Sequence, residues 1–374
     1  AYKSLVKAVK DGKLSEAQID VSVKRLFMTR FKLGMFDPPA LVKYAQTPSS
    51  VLESALHKAH ALKMARQSIV MLKNQNQTLP LSKSAKKIVV LGPNADNPIA
   101  ILGNYNGTPS VLKTVLQGIK EKLPNANVVY EKAINFTNDT LLAYLDYTKA
   151  CKIDDKQGFK AAYFDNVELK GQAIERYEAD LNGAWQEGQE VIGDIKARNF
   201  SARYTTNYTA SKAGSITFEI VGDDGYRFKV NGKEVINAWT RNRWGAQQYK
   251  LLTEPGKTYE LTLEYWQGDG KANIKLSAGN YEKTNMLALS DRMKDADAIV
   301  FVGGISPQLE GEEMKVDFPG FNGGDRTTIL LPAVQTNLMK ALKATGKPLV
   351  FVMMTGSAIA IPWEAENVPA IINS

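Results

Sequence analysis

The segment Ile88-Val89-Val90-Leu91 is apolar at four consecutive positions and stops at Gly92-Pro93. A strand with one solvated face alternates apolar and polar residues. An unbroken run therefore needs cover on both faces, as in a parallel sheet between helical layers. The pattern returns at Val128-Val129-Tyr130, Ala298-Ile299-Val300-Phe301-Val302, Leu349 to Met354 and Ala370-Ile371-Ile372. Helices are predicted over 110–122 and 332–345, so strands and helices alternate in an α/β domain with helices on both sides of its sheet. Between the two halves the pattern changes. From about Phe159 to Ser277 the chain is rich in Tyr, Trp, Thr and Gly, and Ser215 to Ile220 and Glu260 to Tyr265 alternate with period two. Asn231-Gly232 is the preferred pair for a type I′ hairpin. This stretch predicts an antiparallel β-sandwich inserted into the α/β domain.

The opening segment is helical. Ser15 and Gln18 have capping-box spacing, Ile19, Val23, Leu26, Phe27 and Phe31 form one apolar stripe, and Gly34 with Pro38-Pro39 ends the helix. Only fourteen residues precede Ser15, so the stripe is expected to pack on a missing N-terminal domain. Ser50 and Glu53 read as a second capping pair, opening a helix to about Arg66. The expected organisation is 1–85 helices and linker, 86–156 first half of the α/β domain, 157–280 inserted sandwich, and 281–374 second half, truncated. A truncated sheet would expose an edge, and self-association is expected from it.

Several function classes drop out. Residues 1–87 carry 16 Lys/Arg against 5 Asp/Glu, but the cations are spread among apolar residues without basic runs or interleaved aromatics, so a solvated face is expected and no nucleic-acid partner. No apolar run reaches the roughly 18–20 residues of a membrane span, and no membrane partner is expected. Cys151 is the single cysteine, which rules out a disulfide framework. His57 and His60 sit one turn apart without a third ligand, so no metal is expected. The loop GPNADNP (92–98) lacks G-x-G-x-x-G, which removes dinucleotide binding. No cofactor is expected.

Five stretches, taken in order, carry a family resemblance. KRLFMTRFKLGMFDPP (24–39), ARQSIVMLKNQNQTLPL (65–81), KIVVLGPNAD (87–96) with GNYNGTP (103–109), LEGEEMKVDFPGFNGGDRTTILLPAVQ (309–335) and TGSAIAIPWEAENVPAII (355–372) resemble the C-terminal part of glycoside hydrolase family 3. The segments FSARY (200–204) and DDGYRFKVNGKEVINAW (223–239) resemble the β-sandwich first named from anthrax protective antigen. The resemblance implies a three-layer α/β sandwich interrupted by the inserted β-sandwich and preceded by a helical remnant of a TIM-like barrel. It implies an exo-acting retaining β-glycosidase, a β-glucosidase or β-xylosidase, exported to the periplasm or beyond. Substrates would be oligosaccharides or aryl and alkyl β-glycosides, and the barrel would be the partner that holds the nucleophile. The 374 residues alone are then expected to be inactive. The alternative is a non-catalytic carbohydrate-binding protein.

A retaining glycosidase needs two carboxyl groups about 5–5.5 Å apart. The long segment Gly303 to Arg326 follows a buried strand and carries Glu310, Glu312 and Glu313 within four residues. Mutual repulsion would raise the pKa of the most buried of them, as suits a general acid. The family's E-x-E-G pattern implies Glu312 as acid/base, then Glu310, although Glu313 stands where glycine is usual. Asp325-Arg326 match the family's D-R pair, and an Arg326 ion pair is expected to order the loop. Asp96 and Asn94, at a strand end, are candidates to line the site, although such turn residues are more often structural. Trp244, in the polar loop 240–248, is the candidate for sugar stacking. Asp223 and Asp224 resemble a calcium-binding pair, yet a hairpin turn explains them equally.

Overall fold

The structure is a computed structural model that describes residues 2–240 and 246–374, and it contains two compact units. The first comprises the chain up to Met71 with Tyr105–Leu112 and Asn373–Ser374. Its helices span Lys3–Lys10, Glu16–Lys32 and Ala55–Ser68. Ser15 and Gln18 form the expected reciprocal capping box. At the other end Gly34 has φ 69°, its N–H bonds to the Phe31 carbonyl, and the Met35 N–H bonds to the Arg30 carbonyl. That pair of bonds is a Schellman stop, and the positive φ is why glycine stands there. The second cap differs from expectation. Glu53 has φ 52°, outside helical geometry, and its carboxylate accepts the Ser110 N–H at 2.8 Å. Ser54 caps the helix instead, accepting from the His57 N–H. No residue of these three helices is buried: Val23, Leu26, Phe27 and Phe31 on the apolar stripe are exposed.

The second unit contains the mixed α/β architecture. Its main sheet has the strand order Ala370–Asn373, Leu349–Met354, Ala298–Gly304, Lys87–Leu91, Asn127–Glu131, with Val70–Asn74, which enters this unit at Leu72, beside the first. The Ala298–Gly304 strand runs parallel to both Lys87–Leu91 and Leu349–Met354. All seven of its residues are buried, as the unbroken apolar run requires. One face carries Val89, Leu91, Ile299, Phe301 and Phe351 against Leu338, Met339 and Leu342 of the Ala333–Lys343 helix. The other carries Ile88, Val90, Val300 and Val302 with Leu116 of the Val115–Lys122 helix.

Residues 140–283 form antiparallel sheets. An eight-stranded sheet and a five-stranded sheet share one core, in which Phe218 of the smaller meets Phe228 of the larger with ring centroids 5.6 Å apart. Asn231 (φ 49°) and Gly232 (φ 74°) turn between the strands Gly225–Val230 and Lys233–Ala238, the two positive angles a type I′ hairpin needs. The antiparallel pairing begins earlier than residue 157. Thr140–Tyr144 pairs with Gly279–Lys283, placing Thr140 opposite Lys283, and Cys151–Ile153 lies in the eight-stranded sheet. TLLAY is a short apolar run, and periodicity alone does not assign such a run to a sheet.

Candidate active site

The chain changes direction between neighbouring strands at Lys87–Leu91. The Val115–Lys122 connection leads to Asn127–Glu131 on one side, while Ala298–Gly304 lies on the other. In open α/β sheets, crevices form at the carboxyl ends of strands flanking such a reversal. The loop after each of these two central strands is built around its neighbour. Asn94 is 1% exposed; its N–H bonds to the Val302 carbonyl, and its Nδ2 donates to the Gly303 and Ile305 carbonyls at 3.1 and 3.0 Å. Asn94 is therefore a buried clamp and does not line an open site, because both amide hydrogens are committed to backbone. Asp96 is exposed and accepts from Thr114 Oγ1 at 2.8 Å, while Thr114 caps the next helix.

The Gly303 to Arg326 segment leaves the sheet through a glycine pair. Gly304 has φ 102°, and a Cβ there would lie 2.1 Å from the Met354 carbonyl oxygen, so only glycine fits. Gln335, wholly buried, fixes this exit. Its Oε1 accepts the Gly304 N–H at 2.8 Å, and its Nε2 donates to the Gly304 and Phe136 carbonyls at 2.8 and 3.0 Å. Sequence reasoning missed Gln335. The available signal was a lone polar residue on the otherwise apolar face of a helix, and that pattern does not reveal which backbone it serves.

Beyond the exit, the segment folds on a small core of Ile305, Leu309, Val316 and Phe321. It closes in three two-residue strands, Asp317–Phe318, Phe321–Asn322 and Asp325–Arg326. The Gly311 N–H donates to the Gly324 carbonyl, and Asn104 Nδ2 donates to the Glu310 carbonyl. Glu310 is half-buried, and its Oε2 accepts from Ser357 Oγ at 2.8 Å. Glu312 and Glu313 are exposed on the turn, where Glu313 takes φ 51°.

The Arg326 side chain does not make the expected ion pair among the described residues. Nη1 donates to the Ala358 carbonyl at 2.7 Å and to Ser357 Oγ at 3.3 Å, and Nη2 donates to the Leu330 carbonyl at 3.2 Å. Carbonyls from two neighbouring turns replace a carboxylate, because Asp325 is exposed and points no bond at Arg326. Ser357 thus joins Arg326 to Glu310, tying two points of the loop to a turn farther along the chain. Trp244 lies outside the described residues. Asp224 is 2% exposed and accepts the Gly268 N–H at 2.9 Å. Among the described residues no group of three His, Cys, Asp or Glu side chains is placed to hold a metal, and no helix is long and apolar enough to cross a membrane.

Comparison with known proteins adds the following. The glycosyl hydrolase family 3 C-terminal domain matches residues 69–374. A xylan 1,4-β-xylosidase of Xylanibacter ruminicola is 37% identical over 384 residues, covering all of this chain and 43% of that protein. A periplasmic β-glucosidase of Salmonella typhimurium is 34% identical over 301 residues, covering 77% of this chain and 36% of that one. The chain thus spans less than half the length of these curated relatives. Among solved structures, an exo-β-xylosidase bound to a xylobiose aziridine probe superposes with TM-score 0.52 at 19% identity, over 98% of this chain and 28% of the other. A β-glucosidase from Erythrobacter marinus gives 0.51 at 20% identity, over 99% and 32%. These two likenesses concern the fold.

Proposed function

This chain belongs to glycosyl hydrolase family 3, and we propose that it is part of an exo-acting, retaining β-glycosidase that removes terminal xylose or glucose. The observation that carries the reading is the folded Gly303 to Arg326 loop at the carboxyl end of the sheet, with Glu312 exposed on it and Glu310 held from behind by Ser357. Relatives of 37% and 34% identity named as a xylosidase and a glucosidase supply the substrate class.

In this reading Glu312 is the general acid. Its proton passes to the glycosidic oxygen as the bond to the sugar breaks, and the resulting carboxylate then takes a proton from the water that releases the sugar. The nucleophile is a carboxylate from residues other than these 374, about 5–5.5 Å away in the assembled site. Glu310, bonded to Ser357, is a positioning residue. The helices before Met71 are the closing helices of a TIM-like barrel in this scheme, and residues 140–283 are a carbohydrate-binding sandwich of the protective-antigen type. Export to the periplasm or beyond is part of the proposal, supported by the likeness to a periplasmic β-glucosidase.

The test is hydrolysis of aryl β-xyloside and aryl β-glucoside by the full-length glycosidase carrying Glu312→Gln. Poorly activated substrates should lose about 100-fold or more in rate, the scale of general acid catalysis, and azide should rescue an activated one. Full activity in Glu312→Gln with loss in Glu310→Gln would move the acid by two residues.

A further inference from the structure

The antiparallel region contains a second place where polar and aromatic side chains converge. A cavity of about 210 Å³ opens at the rim where the two sheets meet, lined by Tyr163, Arg176, Glu178, Asp180, Asn182 and Trp185. Tyr163 and Glu178 come from the eight-stranded sheet, Asn182 and Trp185 from the five-stranded one. Behind it lies an ordered network. Tyr163 Oη donates to Glu178 Oε1 at 2.5 Å, Arg176 Nε donates to the same oxygen at 2.6 Å, and the Arg176 guanidinium lies 5.1 Å from the Tyr163 ring centre. The hydroxyl of buried Tyr204 donates to Tyr163 Oη at 3.5 Å. Burial raises the Tyr204 pKa well above its ordinary value and pushes that of Tyr163 up to about 12, so both stay neutral hydroxyls.

The front of the cavity is unspent. Glu178 Oε2, the Asp180 carboxylate and the Asn182 carboxamide take part in no hydrogen bond among the described residues. The Trp185 indole folds over Gly183, where a Cβ would stand 2.1 Å from the ring, so glycine is what lets the ring lie there. Acceptors, an amide donor, a guanidinium and aromatic surface therefore face one small volume. A phosphate would meet two carboxylates, and a simple cation would meet Arg176. A neutral molecule with several adjacent hydroxyls satisfies donors and acceptors together and offers C–H surface to the aromatic rings. Pockets for drug-sized ligands begin near 300 Å³, so about 210 Å³ suits one sugar ring.

We propose that this cavity binds a single neutral pyranose, separate from the catalytic loop. The inference deepens the carbohydrate-binding role given above to residues 140–283 and rests on that reading. For a ligand of ten to twelve heavy atoms the expected Kd is about 1 mM.

The experiment is calorimetric and NMR titration of the 374-residue chain with D-xylose and D-glucose, beside inorganic phosphate and lysine as charged controls. Saturable binding of a pyranose is expected, weakened about fivefold or more by Asp180→Ala and by Asn182→Ala, since each removes about one hydrogen bond. Asn182 is exposed, so Asn182→Ala should melt like the parent. Absence of saturable pyranose binding at about 100 times the expected Kd overturns the proposal, as does binding that ignores both substitutions or a preference for phosphate or lysine. In the full-length glycosidase, Asn182→Ala should still hydrolyse aryl glycosides. If hydrolysis is absent from the parent while the chain still binds a pyranose, the catalytic reading fails and this site stands.

Discussion

The parallel sheet and the antiparallel pair use their strands in opposite ways. In the parallel sheet, Ala298–Gly304 is buried at every position; helices cover both faces, so no strand side chain remains for chemistry and the polar work moves to strand ends, at Asn94 and the Glu310–Glu313 loop. In the antiparallel region each sheet has one face on the shared core and one face outward. Strand residues themselves can then be polar. Glu264 shows this: its side chain is 2% exposed, yet it sits on the outward face between Arg203 (2.8 Å), Arg227 and Lys229 (3.0 Å). Covering both faces of a sheet leaves polar side chains to the loops; covering one leaves room for them on the strands.

The largest expected effect tests this contrast directly. Phe301→Ala should cost about 4 kcal/mol in denaturant unfolding, the scale of a large-to-small change in a packed core. Thr262→Ala, on the outward face of the antiparallel Thr258–Gln267 strand, should stay within about 0.5 kcal/mol. Equal costs would break the comparison. Next, Gln335→Leu should cost about 3 kcal/mol, because it strands the Gly304 N–H and carbonyl in the interior. Hydrogen exchange should rise first around Gly304 and Phe136, leaving residues 200–230 protected.

Glu264→Gln sharpens the other side. Burial pushes the Glu264 carboxyl up, but hydrogen bonds from Lys229, Arg203 and Arg227 outweigh it and hold the pKa below the usual carboxylate value. A depressed folded pKa contributes stability above the unfolded value and loses it as pH falls through the folded one. The variant should therefore be about 2 kcal/mol less stable at neutral pH, below the loss for a fully buried pair because the cations keep contact with water. Its deficit should shrink below about pH 4. A deficit that persists unchanged at acid pH would show that the carboxylate charge is not what the three cations stabilise. The smallest effect belongs to Ser357→Ala, with less than about 1 kcal/mol in stability. If Ser357 positions the loop for catalysis, kcat should fall about fivefold in the glycosidase proposed above, a rate change worth about 1 kcal/mol, with KM little changed.

Legibility in the sequence follows the same division. The parallel strands announce themselves because total burial leaves a run such as Ile88 to Leu91 with no polar member. The Asn231-Gly232 turn is legible because few residue pairs tolerate two positive φ angles. The loop is legible as a place, from its glycines and its carboxylates. Its internal wiring is not. Nothing in the spacing of Arg326, Ser357 and Glu310 says that a serine joins them, or that Asn94 spends its amide on Gly303 and Ile305, because these contacts cross gaps of up to 211 residues. The cap at Ser54 was displaced from Ser50 because Glu53 is engaged by Ser110, again a partner distant in sequence.

The pairing of Thr140 with Lys283 has a kinetic meaning. Leu91 and Phe301, which lie opposite each other in the central parallel pair, are about 200 residues apart along the chain. Once Thr140 and Lys283 are zipped together, about 140 of those residues no longer count as slack. By the logarithmic law of loop closure the entropic cost of bringing the two strands together falls by about 1 kcal/mol. An intervening region that folds early and holds its own ends side by side therefore speeds assembly of the sheet it interrupts, and the nucleus of the parallel sheet can form late without a long search.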